Sequence, residues 1–328
     1  MRARLVILGS IVCLHACGGG SDNSRPVGEP LPPPAVQITL DAANYQGAAR
    51  NALEWTDAAF SLGKLGADVA DRMLSTSAIL PPVFPCTVSG TASVTLTDRN
   101  RNGMLNAGDT FSLFLEQCVT DVVSVTGVLR VEVTTAEPIG DGRAYHLLVH
   151  VENFSISSNS YVDVPPTDVN LSASVDFSHT SDFDHYVLTF GEFRRTVAGQ
   201  TQSVSNLVID YLQRYDTLNY DYLVQGTLGS LGNSGEFRIS TPLSLTGTIG
   251  SYPTLGRMGL NGAANSTARV SEEGAAASNS AAVLVSVDSN GDGVADSEVP
   301  ELAWAQLLPA STFDSLRGRS YQGLLPIP

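Results

Sequence analysis

From Cys86 onward, apolar and polar residues trade places along run after run, and that alternation constrains what most of the chain can become. Val125, Gly127, Leu129, Val131 and Val133 alternate with Thr126, Val128, Arg130, Glu132 and Thr134. Val169, Leu171, Ala173, Val175 and Phe177 alternate more cleanly with Asn170, Ser172, Ser174 and Asp176. Successive side chains of a strand point to opposite faces, so a sustained period of two means a sheet with one buried face and one wet face. Similar runs recur near 145–156, 184–190, 203–212, 218–228, 235–248, 257–271 and 281–287, parted by Gly, Asn, Asp and Pro turns. No βαβ rhythm appears among them. The expected fold class is mainly β: an antiparallel sheet, open or barrel-like, with an N-terminal α-helix packed on it.

The helix is read from Asp41 to about Ser75. Asp41 can cap it, and Tyr45, Ala49, Ala52, Leu53, Thr56, Ala59 and Phe60 recur on one face with helical period. Gly63 and Gly66 are expected to break the run, leaving Leu65, Val69 and Met73 on a second, shorter piece. An Ala-rich, one-sided helix packs on a sheet. An interfacial membrane helix would carry basic residues on its polar face, and these are scarce. Pro81, Pro82 and Pro85 close the helical region.

Ahead of the helix the chain reads as an address. Arg2 and Arg4 precede an apolar run from Leu5 to Leu14. A bilayer-spanning helix needs about 20 apolar residues, so this run has the length of a secretory h-region instead. Leu14-His15-Ala16-Cys17-Gly18 then resembles the bacterial lipobox, which implies cleavage before Cys17 and a lipid on that cysteine. His15 departs from the small or aliphatic residue usual there, which implies slower cleavage. Gly18 to Pro34 is Gly/Ser-rich, then Pro-rich, and suits a flexible and then extended tether. Gly18 stands where an Asp would resemble an inner-membrane retention signal, so the implied location is the outer membrane of a bacterial envelope. The expected organisation is a signal peptide over 1–16, a lipidated tether over 17–38, a helical segment over 39–80 and a β body over 81–328.

The chain carries 33 acidic and 18 basic residues, and Lys64 is its one lysine. With no basic cluster, such a chain does not suit nucleic acid or anionic lipid surfaces. Its expected membrane contact is the N-terminal lipid alone. The excess of acid suits solubility or divalent cations. Of four cysteines, Cys13 leaves with the signal and Cys17 takes the lipid. Cys86 and Cys118 remain as one pair in an oxidising compartment, where a disulfide is the default. Loop entropy gives such a bridge about 3–4 kcal/mol.

Two Asp/Asn-rich loops carry the most specific chemistry. The first runs Asp98, Arg99, Asn100, Arg101, Asn102, Gly103, Met104, Leu105, Asn106, Ala107, Gly108 and Asp109. Counting Asp98 as position 1, oxygen side chains fall at positions 1, 3, 5, 9 and 12, glycine at 6, and the Met104 carbonyl at 7. That spacing wraps a chain around Ca²⁺, with alternate residues turned inward and glycine at the sharp bend. The second loop places Asp288, Asn290, Asp292, the Val294 carbonyl and Asp296 at the same first nine positions. Its position 12 is Val299, so a final ligand must come from elsewhere, Glu298 or Glu301 being the nearest acids. Up to two Ca²⁺ ions are expected. The competing reading is that Asn, Asp and Gly simply make tight polar turns.

Both loops resemble EF-hand loops in spacing but not in setting, because strands over Thr91–Leu96 and Phe111–Leu115 flank the first. The free-standing calcium loop of secreted bacterial proteins is the nearer likeness. Pairing Thr97 with Thr110 brings Cys86 and Cys118 near opposition at the foot of that hairpin, after a small bulge. Taken together, the CGGGSD start, the Cys-bounded hairpin with DRNRNGMLNAGD and the DSNGDGVAD before Trp304 resemble a loose class of proteobacterial lipoproteins of unknown function. That likeness bears on architecture and implies no activity.

Catalytic patterns are weak. His146 and His150 share a strand face beside Glu152, but four strand residues span about 13 Å, too far for one metal. His179, Asp182, Asp184 and His185 gather at a turn without DxDxDG or HExxH spacing. No GxSxG elbow, P-loop or helix-opening GxGxxG is present. The expected function is a noncatalytic, calcium-stabilised structural or binding module. The alternatives are a carrier sheltering an acyl chain between helix and curved sheet, as in LolA-like chaperones, and a hydrolase with an unrecognised constellation.

Overall fold

The computed structural model describes residues 36–75, 83–102, 104–119, 123–158, 167–229, 235–249, 251–272 and 282–307. Cys17, the tether up to residue 35 and Gly103 lie outside the described residues. Helix α1 spans Tyr45–Ser75. The strands that follow are β1 (Val83–Pro85), β2 (Ser89–Thr97), β3 (Thr110–Val119), β4 (Val123–Ile139) and β5 (Gly142–Ser158). Next come β6 (Thr167–His179), β7 (Phe183–Val197), β8 (Gln200–Arg214), β9 (Asn219–Gly229) and β10 (Glu236–Thr248). The last are β11 (Leu255–Asn261), β12 (Thr267–Ser271), β13 (Ala282–Asp288), β14 (Ser297–Ala303) and a four-residue helix α2 (Trp304–Leu307).

The 14 strands among the described residues form one antiparallel meander in which each pairs with its neighbours in sequence. The expected mainly β class with a helix laid on the sheet is what the structure has. The run expected at 257–271 is two strands, β11 and β12, parted by a short 3-10 turn at Ala263–Asn265. Among the described residues no pairing joins β1 to β14, which stand as the two edges of the sheet. Both edges are blunted: β1 has three residues ending in Pro85, and β14 carries Pro300 and a left-handed Glu301 (φ 59°).

The long strands do not run straight. Register shifts fall at Leu115/Cys118 between β3 and β4, Thr126/Val128 between β4 and β5, and Val151/Phe154 between β5 and β6. They continue at Ser172/Ala173 between β6 and β7 and Ser205/Val208 between β8 and β9. Left-handed Gln117, Asn153 and Asn206 stand in this row. A row of bulges bends each strand near its middle and increases local twist, which lets a wide sheet curl.

What it curls around is α1. The helix touches β4 to β7 and also β12 and β13. Asp41 caps it, its Oδ1 accepting the Ala43 and Asn44 amides at 2.8 and 3.1 Å. Trp55 meets Phe193 edge-on at 4.5 Å, and Phe60 packs against Tyr211, Tyr186 and Tyr222 at 4.6, 5.9 and 5.9 Å. Burial extends around the helix to Thr56, Asp57, Ser61 and Lys64.

The expected break at Gly63 and Gly66 is corrected here, because α1 runs through both without interruption. A Cβ on Gly63 would lie 2.1 Å from Leu188 Cδ2, and one on Gly66 would lie 3.1 Å from Val149 Cγ2. These glycines let the helix backbone approach β4 to β7, a tertiary demand that outweighs their poor helix propensity. On its other face the sheet is polar: β6 turns Asp168, Asn170, Ser172, Ser174, Asp176 and Ser178 outward, between buried Val169, Leu171, Ala173, Val175 and Phe177.

Candidate metal-binding loops

The first loop joins β2 to β3. Thr97 pairs with Thr110, the register expected from sequence. Cys86 and Cys118 form a disulfide at the foot of this hairpin, with Cα atoms 5.3 Å apart. A register shift at Ser89/Thr91 supplies the bulge.

Within the loop the oxygen side chains form a ladder of Asx turns. Asp98 Oδ1 accepts the Arg101 amide at 2.6 Å, Asn100 Oδ1 the Asn102 amide at 3.0 Å, and Asn102 Oδ1 the Met104 amide at 2.8 Å. Asn106 Nδ2 donates to Asn102 Oδ1 and to the Met104 carbonyl. Asp109 is 1 % exposed and closes the loop: its Oδ1 accepts the Arg99 amide at 2.8 Å and its Oδ2 the Asn106 amide at 2.9 Å. Leu105 is buried in the core, while Met104 stays exposed.

The second loop, joining β13 to β14, repeats the scheme. Asp288 Oδ1 accepts the Gly291 amide and its Oδ2 the Gly293 amide, both at 2.7 Å. Asn290 Oδ1 accepts the Asp292 amide and Asp292 Oδ1 the Val294 amide, both at 2.8 Å. Asp296 Oδ2 takes the Ser289 amide at 2.7 Å, as Asp109 takes that of Arg99. The Ser289 hydroxyl and amide hold the Asp296 carboxyl below its usual range. Position 4 is left-handed in both loops, with φ 59° at Arg101 and 76° at Gly291. An Asx oxygen that accepts one amide, such as Asn100 Oδ1 or Asn290 Oδ1, keeps a lone pair for a cation, whereas Asn102 Oδ1 and Asp296 Oδ2 each accept two donors.

The two loops lie at opposite ends of the sheet. Residues 36–40 enter beside the second: the Gln37–Glu236 bridge opens β10, the Ala263 amide donates to the Ile38 carbonyl, and Leu40 N donates to Ser266 Oγ. Thr267, one residue on, pairs with Asp288. The first loop points the other way, since the Gly108 amide donates to Val133 O on the part of β4 that leads to the C-terminal turn of α1. There Tyr145 donates to Asp71 at 2.7 Å, and the Arg143 guanidinium bonds the Leu74 carbonyl.

The histidines separate as pairs with carboxylates. His146 and Asp176 meet at 2.6 Å and His185 and Asp210 at 2.8 Å, both on the outer face. His179 and Asp184 meet at 2.6 Å, and Tyr215 donates to the second oxygen of Asp184. Among the described residues no three His, Cys, Asp or Glu side chains converge as a metal site. The donors of the first loop are largely carboxamide and backbone oxygens, and the three carboxylates of the second, Asp288, Asp292 and Asp296, do not converge as such a group.

Two buried polar clusters seat α1 and were not legible in the sequence. Lys64 Nζ lies 2.7 Å from Asp68 Oδ1 and 2.6 Å from the Tyr186 hydroxyl. Burial and the adjacent Asp68 push the Tyr186 phenol well above its ordinary range. At the other end of α1, the Arg195 guanidinium sits 4.9 Å over the Trp55 ring and donates to Asn51 and Gln202, while Trp55 Nε1 donates to Gln202 at 2.8 Å. Burial raises the Glu54 carboxyl and lowers the Arg195 guanidinium, each effect opposed by their mutual attraction at 3.6 Å. The one sequence signal was a sole lysine near the apolar stripe of a helix. No family model, no curated protein and no solved structure matches the chain.

Proposed function

We propose that this protein is a noncatalytic, calcium-braced module of the bacterial cell envelope, tethered through lipid on Cys17 to the outer membrane. The supporting observation is the shared hydrogen-bond ladder: two loops far apart in sequence close on matching Asx turns, with position 4 left-handed in each. A divalent cation bound there would tie down both ends of the sheet. The first loop brings two carboxylates and the second three, so the second takes Ca²⁺ more tightly, and the first falls near the roughly 10⁻⁴–10⁻³ M of extracellular modules.

The concave face of the sheet is occupied by α1, pressed so closely that Gly63 and Gly66 leave no room for a methyl group without a shift. That filling favours a structural or adhesive module over a carrier of an acyl chain, which needs the same face. Calorimetric melts of the mature chain in millimolar Ca²⁺ and in EGTA test the proposal. A rise in melting temperature with Ca²⁺, reversed by EGTA, is expected; indifference to both overturns it. Mass spectrometry of the N-terminal peptide from envelope-purified protein tests the anchor, which demands a lipidated Cys17.

A further inference from the structure

We propose that the outer face of the β7–β8 ladder carries a binding site for an aliphatic diamine or guanidinoamine. A pocket of about 450 Å³ opens there, lined by Asp182, Phe183, His185, Leu212, Arg214 and Asp216. That volume falls within the range of small-molecule sites, about 300–1,000 Å³. The register builds it. Phe183 pairs with Arg214 and His185 with Leu212, so four cross-strand neighbours share one face. The turns before β7 and after β8 add a carboxylate on each flank, and the Tyr215 amide joins them by donating to the Asp182 carbonyl at 2.8 Å.

Charge decides the ligand. Both basic side chains of the lining already have acids: Arg214 binds Asp221 at 2.5 Å and His185 meets Asp210 at 2.8 Å. Asp182 and Asp216 meet neutral donors instead, Ser181 Oγ at 3.3 Å and the Thr217 amide at 2.7 Å. The site therefore presents two carboxylates with neutral donors, side by side at the end of the ladder, beside the apolar Phe183 and Leu212, in a protein of net charge −15. A ligand with two cations joined by methylenes matches both parts, the acids taking the cations and Phe183 and Leu212 the methylenes. The site stands apart from the second calcium loop, at the end of the sheet opposite residues 36–40, because β10 runs from the Gln37–Glu236 bridge to Thr248 beside Asn219.

Titration calorimetry of putrescine and agmatine into the full mature chain, at fixed Ca²⁺, tests the assignment. One saturable site is expected, weakening as salt rises. Asp182→Asn and Asp216→Asn each keep the oxygen that accepts Ser181 or Thr217, so the turns persist, and each should weaken binding about tenfold or more. Arg214→Gln should tighten it, since a positive charge leaves and Asp221 is freed. In the unaltered chain, the His185 ring resonances should shift on adding agmatine while those of His146 and His150 stay. Amine binding indifferent to both Asp→Asn variants overturns the proposal. So does phosphate or acetate binding that Arg214→Gln abolishes, or Ca²⁺ displacing the amine from the same residues.

Discussion

Leu188 Cδ2 stands 2.1 Å from where a Cβ on Gly63 would sit, so the Leu188 side chain of β7 fills the space over the middle of α1. Gly63→Ala gains about 1 kcal/mol of helix propensity but overpacks the core, which costs about 1–3 kcal/mol, so a net loss is expected. Gly47 has nothing within 4 Å of its would-be Cβ. Gly47→Ala should therefore stabilise by about 0.5–1 kcal/mol. Paired urea titrations read the contrast, and equal responses would mean that the helix is seated otherwise.

Lys64 is paired with Asp68 and donates to the Tyr186 hydroxyl, and its side chain is 9 % exposed. Lys64→Met removes one partner of a mostly buried pair. Breaking such pairs costs about 3–5 kcal/mol; a lower loss of about 2–3 kcal/mol is expected because the Asp68 side chain is 26 % exposed. Lys64→Met with Asp68→Leu should recover part of the loss, and a double variant no better than the single would sink the pairing.

Position 4 of the two loops offers a swap. Arg101 holds φ 59°, where a non-glycine residue is strained, so Arg101→Gly should stabilise by about 0.5 kcal/mol. Gly291 holds φ 76°, and a Cβ there would lie 2.8 Å from Asn265 Cβ, so Gly291→Ala should destabilise by about 1–2 kcal/mol. Thermal melts of both, without and with Ca²⁺, check the opposite signs.

The calcium reading separates the loops. At a Ca²⁺ concentration one hundredfold above its Kd, a site adds about 2.7 kcal/mol. Asp292→Asn keeps the oxygen that accepts the Val294 amide while removing one of three carboxylates. It should shift the Ca²⁺-dependent melt to higher Ca²⁺ while leaving the melt in EGTA nearly unchanged.

Glu272 accepts the Trp304 indole N–H at 2.6 Å, and burial raises its carboxyl above the usual range, the indole bond opposing. A raised carboxyl binds its proton more readily folded than unfolded. Stability therefore falls as pH climbs from the ordinary Glu value through the raised one. Glu272→Gln should gain on the parent at pH 7.5, with the gain vanishing near pH 4. A constant difference across that range would remove the titration from the account.

The sheet was legible because alternation is local: Val169 to Phe177 needs no partner to declare an inner and an outer face. The Thr97–Thr110 register followed from symmetric strands about one loop, and the disulfide from the two cysteines that export leaves over, which that register then brought near opposition. Gly63 and Gly66 misled, because a glycine that breaks a helix and one that admits the side chains of a neighbouring strand look alike until the neighbour is present. The edge strands β1 and β14 are three and seven residues long and carry too little pattern to stand out.

The sequence by itself determined the period of the strands, the capped helix, the cysteine pair and the spacing of oxygen side chains in the two loops. These depend on neighbours along the chain. Only the tertiary structure decided that the sheet curls around α1, that Lys64 and Arg195 are swallowed with it, and that Phe183, Leu212 and two acids surround one pocket. Those outcomes depend on register and bulges summed across many strands, and a one-residue slip in any of them turns every side chain to the other face.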